Sequence, residues 1–349
     1  MCPAEDMDDA PGVWAGGDIP EAATWREGIR VTLPIAEPPE AEHRLSGKHL
    51  WGGIYFGHFG HFLVETVSRL WAAEQEGIDS VLFTPRHGKL KDFATYQADI
   101  LDLFLPNSKV QILREPTEVE GLLVAGQGFG IGNISAGTPE FRAFVQRAMQ
   151  DVEPRKVEKI YISRTRFNGK GGIIDEPLLE ENLIAQGYTP IFPEKLPFRE
   201  QLSLFKSAKK IIGLDSSAFH VLGYVATPEQ DICIVTRRNH PAYEHIAAHL
   251  RAFTGRAPTV IEAVAADWMP ERQKMPNHTS WGELDGDAVK EALVGTGFIS
   301  DPARWIASSP ARFSGALKWA EEKSKEPLVR RDAEETLART RKKLAKQGA

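Results

Sequence analysis

Cysteine is nearly missing from this sequence: Cys2 and Cys233 are the 2 found among 349 residues. So few cannot make a disulfide framework, and with no CxxC pairing there is no zinc-binding spacing. Cys2 falls in a loose terminus, while Cys233 sits inside the apolar run DICIVT as a small buried hydrophobe. Positive charge is not in excess either. A formal net charge of -6 gives no global attraction to nucleic acid, so any anion site must be local. No apolar run approaches the ~20 residues needed to span a bilayer. The opening MCPAEDMDDAPG lacks the basic flank and apolar core of a signal peptide. These absences lead to the expectation of a cytoplasmic protein. Solenoid repeats and low-complexity tracts are lacking as well.

Three motifs that would name a chemistry are also absent. GQGFGIGN, Gly126 to Asn133, places Ile131 or Asn133 where the dinucleotide fingerprint needs its last glycine. There is no GK[ST] and no HExxH. The glycine stretch reads instead as a mobile loop lining a cleft between domains.

What is present is an ordinary globular composition, 42% hydrophobic and 26% charged, with a length that suits about two domains. Residues 1–25 are acidic and Gly/Pro-rich and read as a flexible arm. In 26–153, a short alternating strand in EGIRVTLP is followed by helical spacing from His58 to Trp71. The stretches DSVLF, KVQILRE and VEGLLVAG then read as strands, with FATYQADILDLFL a helix between the first two. A charged connector, Glu153 to Val157, marks the boundary. In 157–265 strands and helices alternate again: KIYISR, EPLLEENLIAQG, TPIFPE, FREQLSLFKSA, KKIIGLD, SSAFHVLGYV and DICIVT. Such alternation implies parallel sheets covered on both faces. The fold class expected is α/β, with two Rossmann-like domains facing across a cleft. A mainly helical extension, 266–349, follows. Its basic end, from Arg330 to Lys346, reads as a solvated helical tail, with contact to an anionic membrane surface as the alternative.

Candidate chemistry gathers in three places. In YFGHFGHFLVETVSRLW, His61 and Glu65 share a helix face at i,i+4. A base beside a cleft could take a proton from an acceptor hydroxyl, whereas a buried hydrogen-bonded pair would only hold the helix in place. A metal triad with His58 is disfavoured because Gly57 and Gly60 weaken the helix start, leaving His58 in the preceding turn. In KIIGLDSSAFHVLGYV an apolar strand turns sharply through Asp215, Ser216 and Ser217 into a helix. Its free N–H groups suit a phosphate; the plainer reading makes Asp215 or Ser216 an N-cap. In YISRTRFNGKGG, Arg164 ends the first strand of the second half and could help clamp a diphosphate, with Arg166 and Lys170 weaker candidates.

Taken together, GHFLVETVSRLW and the run from YISRTR to IIGLDSSAFHVLGY resemble the family 61 glycosyltransferases. The places of the family pattern are filled by His61 and Glu65, Arg69 and Leu70, Arg164, Asp175 and Glu176, Gly187 and Tyr188, Pro193 and Glu194, Gln201 and Gly213. The resemblance implies a GT-B type pair of domains, a nucleotide sugar bound mainly by the second, and metal-independent inversion at the anomeric carbon. It requires no cofactor beyond the nucleotide-sugar co-substrate. His61 and Glu65 would then activate a glycan or glycoconjugate acceptor. Arg164, Ser216 and Ser217 would hold the diphosphate, and Lys170, Asp215, Glu194 and Gln201 would supply further donor contacts. Asp215 and Ser216 stand where the family has His-Gly. That departure favours the alternative, a catalytically silent carbohydrate- or nucleotide-binding regulatory protein of the same fold; a nucleotide-sugar epimerase is a third reading.

Overall fold

The computed structural model describes residues 12–32, 35, 37–90, 92–169 and 171–347. The chain forms a mixed α/β protein of two compact units. The first takes the chain up to Val152 together with His220–Val225 and Ala248–Gly255; the second takes Glu153–Phe219, Ala226–Ala247 and the chain from Arg256.

The first unit is built on a four-stranded sheet ordered Val110–Ile112, Ser80–Pro85, His43–Tyr55, Thr117–Val124, with every neighbouring pair parallel. The chain starts at His43–Tyr55, steps outward twice, then returns to the other side. The order therefore reverses between His43–Tyr55 and Thr117–Val124, and side chains at the carboxyl ends of those two strands border a natural crevice. The expectation missed this central strand. Its sequence, HRLSGKHLWGGIY, opens with charge and contains three glycines. Two of them are required by packing. A Cβ on Gly52 would lie 2.7 Å from the Phe83 ring, and Gly53 has φ +103 with Arg69 Nη1 3.1 Å from where its Cβ would be. The register slips between Trp51 and Gly53, a bulge that opens room for a buried guanidinium. Arg69 occupies it without any exposure, over the Trp51 ring, donating to the carbonyls of Ala125 at 3.0 Å and Ala23 at 2.6 Å.

Those bonds bear on the expected flexible arm. Residues 1–11 lie outside the described residues, but 12–25 are not loose. Val13 and Ala22 are buried in one cluster with Trp51, Ile54, Phe56 and Leu82. Trp25–Arg26 and Ile29–Arg30 then pair as a hairpin, whose turn puts Glu27 at φ 52 and Gly28 at φ 80, the two positive angles a type I′ turn demands.

The second unit carries a five-stranded sheet ordered Thr259–Ile261, Asp231–Val235, Lys210–Leu214, Lys159–Ile162, Thr189–Ile191, again parallel throughout. Numbered along the chain this is 2-1-3-4-5, and its order reverses between Lys159–Ile162 and Lys210–Leu214. Both faces are covered, as near-continuous apolar strands require. Tyr161, Ile212 and Cys233 pack with Leu179 and Leu183 of the Glu176–Ala185 helix and Leu293 of Gly286–Gly295, while the alternate residues Ile160, Ile211 and Ile234 are equally inaccessible.

The stretch 266–349 carries helices, Gly286–Gly295, Pro310–Ser324 and Ala333–Gln347, and strands besides. Val264–Met269, Trp281–Leu284 and Val329–Asp332 join Gly172–Ile173 in a second, mixed sheet. Asn182 exchanges hydrogen bonds with the backbone of Ile306 at 2.9 and 2.8 Å. The basic helix Ala333–Gln347 is anchored at its start, while Arg339 and Lys342 are exposed. Thr336 is buried, its hydroxyl donates to Asp267 at 2.8 Å, and Asp267 in turn accepts from Asn239 at 2.8 Å. Among the described residues, no helix is long and apolar enough to cross a membrane.

Candidate active site

In the first unit, the helix expected from His58 to Trp71 is two pieces, an α-helix Phe59–Val64 and a 3-10 helix Thr66–Glu74. His58 is the N-cap, in the turn where the glycines were expected to leave it. Glu65 stands at the joint. The Ser68 hydroxyl donates to its carbonyl at 2.6 Å, and Thr66 Oγ1 accepts from the Phe56 amide at 3.0 Å. These bonds fasten the joint to the carboxyl end of the central strand.

Glu65 has a side chain with 0% exposure. Arg26 donates to both its oxygens, Nε to Oε1 at 2.9 Å and Nη2 to Oε2 at 2.8 Å, and His61 Nδ1 lies 2.6 Å from Oε2. Burial by itself would raise this carboxyl, but the hydrogen bonds from His61 and Arg26 outweigh it and hold the group below the ordinary carboxylate range. An ionised carboxylate only accepts, so Nδ1 is the donor of the short bond, and in the neutral imidazole Nε2 keeps its lone pair. The Glu65 oxygens are spent. His61, whose side chain is 33% exposed, is the accessible member of the pair.

Sequence reasoning missed Arg26, which it placed at the edge of the arm. The glycine loop delivers it. Gln127 Oε1 accepts from the Trp25 amide at 2.7 Å, and the Ile131 carbonyl accepts from Glu27 at 3.0 Å. Gly132, at φ +85, lies so close to the hairpin that a Cβ would sit 2.5 Å from Glu27 Cα. The loop expected to be mobile is thus the seat of the hairpin.

In the second unit, Arg164, Asp215, Ser216 and Ser217 lie where the sheet order reverses, just past the carboxyl ends of Lys159–Ile162 and Lys210–Leu214. The half-buried serines lead into the Ala218–Val225 helix. Asp215 is buried and faces inward. It accepts from the Arg237 amide at 2.7 Å, while Arg237 Nε lies 3.6 Å and Arg238 Nη2 3.8 Å from its carboxylate. Both arginines are buried and extend the strand Asp231–Val235. They too were missed. The available signal was a repeated strand ending, Ser-Arg in YISR and Thr-Arg-Arg in IVTRR. Burial, and then the neighbouring Arg237, lower both Arg164 and Arg238 to about 10. The Nε atoms of these two are buried without a hydrogen-bond partner among the described residues. Arg237 and Arg238 flank the Asp215 carboxylate with Arg164 in their field, and the unpartnered Nε donors of Arg164 and Arg238 are what an anion needs.

Glu176 is buried behind Arg164. Its Oε1 accepts from the Arg164 amide at 2.6 Å and the Tyr161 hydroxyl at 3.0 Å, yet burial raises its carboxyl to about 7. Other expected donor contacts are not gathered here. Gln201 uses its amide on the carbonyls of Pro193 at 2.8 Å and Leu196 at 3.0 Å, so its donors serve a turn. Glu194 is exposed on that turn, and Arg166 stacks on Phe192 at 4.0 Å. Lys170 lies outside the described residues. Glu42, His43 and Glu115 bring three potential metal-ligand atoms together. They are exposed and sit at the amino ends of the first sheet, the end opposite His61.

Fold and site define an α/β protein with polar side chains at the reversal point of each parallel sheet. Residues 59–233, half of the chain, match the family model Glycosyltransferase 61. The chain belongs to that family and is a glycosyltransferase, as the resemblance implied. Among solved structures, the dodecameric iron-containing heptosyltransferase TibC, in complex with ADP-D-beta-D-heptose, is similar at 12% identity, covering 84% of this chain and 79% of that one with a TM-score of 0.32. None of the curated proteins compared with the chain matches it.

Proposed function

We propose that the chain is a metal-independent, inverting glycosyltransferase that moves a sugar from a nucleotide-sugar donor to a hydroxyl of a glycan or glycoconjugate in the cytoplasm. The observation that carries this reading is the approach of Arg237 and Arg238 to Asp215, with Arg164 in their field, at the reversal point of the second sheet. The donor diphosphate binds there, assisted by the backbone at Ser216 and Ser217. His61 Nε2 takes the acceptor proton as the acceptor oxygen attacks the anomeric carbon from the face opposite the diphosphate. The bond from that carbon to the diphosphate oxygen breaks, its electron pair goes to the leaving group, and the guanidiniums stabilise the growing charge in place of a divalent cation. The reading includes the GT-B type arrangement of domains.

Asp215 also keeps the second reading in view, since it already takes up part of the arginine charge. Titration calorimetry with nucleoside diphosphates and nucleotide sugars, with transfer assayed in parallel, separates the two. Donor binding with release of the nucleoside diphosphate on addition of acceptor supports transfer. Tight binding without turnover on a broad panel of acceptors makes the chain a silent binding protein.

A further inference from the structure

Beside the arginine cluster the second unit carries an open pocket with a volume of about 320 Å³. Its floor is the loop after Lys159–Ile162 and the start of the Glu176–Ala185 helix. Its far wall is the Pro310–Ser324 helix, which lies outside the segment matching the family. Two indoles line it. Trp281 is buried with its ring nitrogen donating to Ser324 at 2.9 Å, and Trp319 stands edge-on to it at 5.5 Å with 48% of its surface exposed. Lys323 donates to the Phe167 carbonyl and lies 4.6 Å over the Trp319 ring. Burial, and then Arg164, lower this lysine below its ordinary value. Arg164 belongs both to this cavity and to the anion cluster.

We propose that this cavity is the nucleoside subsite of the donor, a statement that rests on the transfer reading above. A nucleoside diphosphate sugar has two ends, and the anomeric carbon must stay open to the acceptor. A pocket joined to the phosphate site through one shared arginine suits the end that does not react. Its furnishings are those of base recognition. Trp319 offers a flat face for stacking, and Glu176, whose Oε1 is used by Arg164 and Tyr161, lines the cavity with an acceptor for a base N–H. The Pro310–Ser324 helix therefore selects the base of the donor.

The test is calorimetry on the full chain with pyrophosphate and with UDP, ADP, GDP and CDP. At least one nucleoside diphosphate should bind tighter than pyrophosphate by about 5- to 150-fold, the worth of one stacked base. Trp319→Ala should bring that diphosphate down to the pyrophosphate level and leave pyrophosphate itself unchanged, while Trp319→Phe keeps most of the preference. An intact preference in Trp319→Ala overturns the proposal. So does an effect confined to the nucleotide sugar and absent from the matching diphosphate, which would assign the cavity to the sugar. Failure of pyrophosphate and every diphosphate to bind, with Arg238→Ala changing nothing, refutes the donor reading itself and this proposal with it.

Discussion

Glu65→Gln is the most informative single change in the first unit. It keeps shape but converts an acceptor-only group into one with an acceptor oxygen and a donor nitrogen. Glu65 receives two bonds from Arg26, at 2.9 and 2.8 Å, and one from His61 at 2.6 Å. A glutamine cannot satisfy both neighbours. With its oxygen toward the permanently charged Arg26, its NH2 faces His61 Nδ1, which must then accept, and the imidazole proton moves to Nε2. The lone pair that takes the acceptor proton is lost while the ring stays in place. General-base catalysis contributes ~10²–10⁴-fold, so kcat should fall by that factor, about 3–5 kcal/mol on the barrier, with donor affinity unchanged. Stability carries a second signature. The Glu65 carboxyl is held below its ordinary value in the folded chain, so its stabilising contribution is complete above the unfolded carboxylate pKa and is lost as pH falls through the folded one. Breaking the buried pair should cost about 2–3 kcal/mol at neutral pH, and the gap between variant and wild type should narrow toward acid. Product release at saturating donor and urea melts from pH 3 to 8 read the two effects. Wild-type kcat in Glu65→Gln would refute the dyad outright.

The remaining predictions concern the supports of the two centres. Arg238→Ala should weaken nucleoside diphosphate binding by about 10- to 100-fold, the loss of one charge-assisted contact, and calorimetry with UDP or ADP reads it; unchanged affinity would remove Arg238 from the anion site. Glu176, raised to about 7 in the folded chain, should cost stability progressively as pH rises from about 4.5 through 7, because the unfolded chain ionises first. Glu176→Gln should then gain on the order of 3 kcal/mol over wild type between pH 5 and 8.5 in urea melts, and parallel pH curves for the two proteins would contradict the raised value. Gly132→Ala should strain the positive φ and push the hairpin off the loop, costing ~1–3 kcal/mol and lowering kcat, as Arg26→Ala should; full activity would show that the hairpin seat is dispensable. Thr336→Val should cost ~1–3 kcal/mol in thermal or chemical melts by leaving Asp267 short of a donor.

Residues that act through local spacing could be read before folding; those that act through tertiary approach could not. His61 and Glu65 announce themselves at i,i+4, and Arg164 follows its strand directly. Arg26 reaches Glu65 only because a hairpin sits on a glycine loop about a hundred positions later, and no period in the chain encodes that. Arg237 and Arg238 lie just past the apolar end of DICIVT, and only the likeness of their strand ending to the first one marks them. In the fold, Phe198–Ser207, with its 3.6 spacing, lies where expected, as does Glu176–Ala185, which is marked by its Asp-Glu start. The central strand His43–Tyr55 was hidden by glycines that make room for Phe83 and Arg69. Val329–Asp332 was taken for helix because it is an edge strand, where charged residues are the rule.

The first unit has a core assembled from distant parts of the chain. Phe129 stacks on Phe141 and meets His249 at 4.6 Å, Tyr224 packs edge-on against Phe104, and the Tyr224 hydroxyl donates to the Leu63 carbonyl. A ribosome that has released Val152 has therefore made the whole first sheet but not the aromatic side chains that cover it. Until Gly255 emerges, a nascent chain leaves Phe104 and Phe129 without their covering from Tyr224 and His249, a sticky interval in which a chaperone has work to do. A gene cut after residue 152 should yield inclusion bodies rather than a half-enzyme.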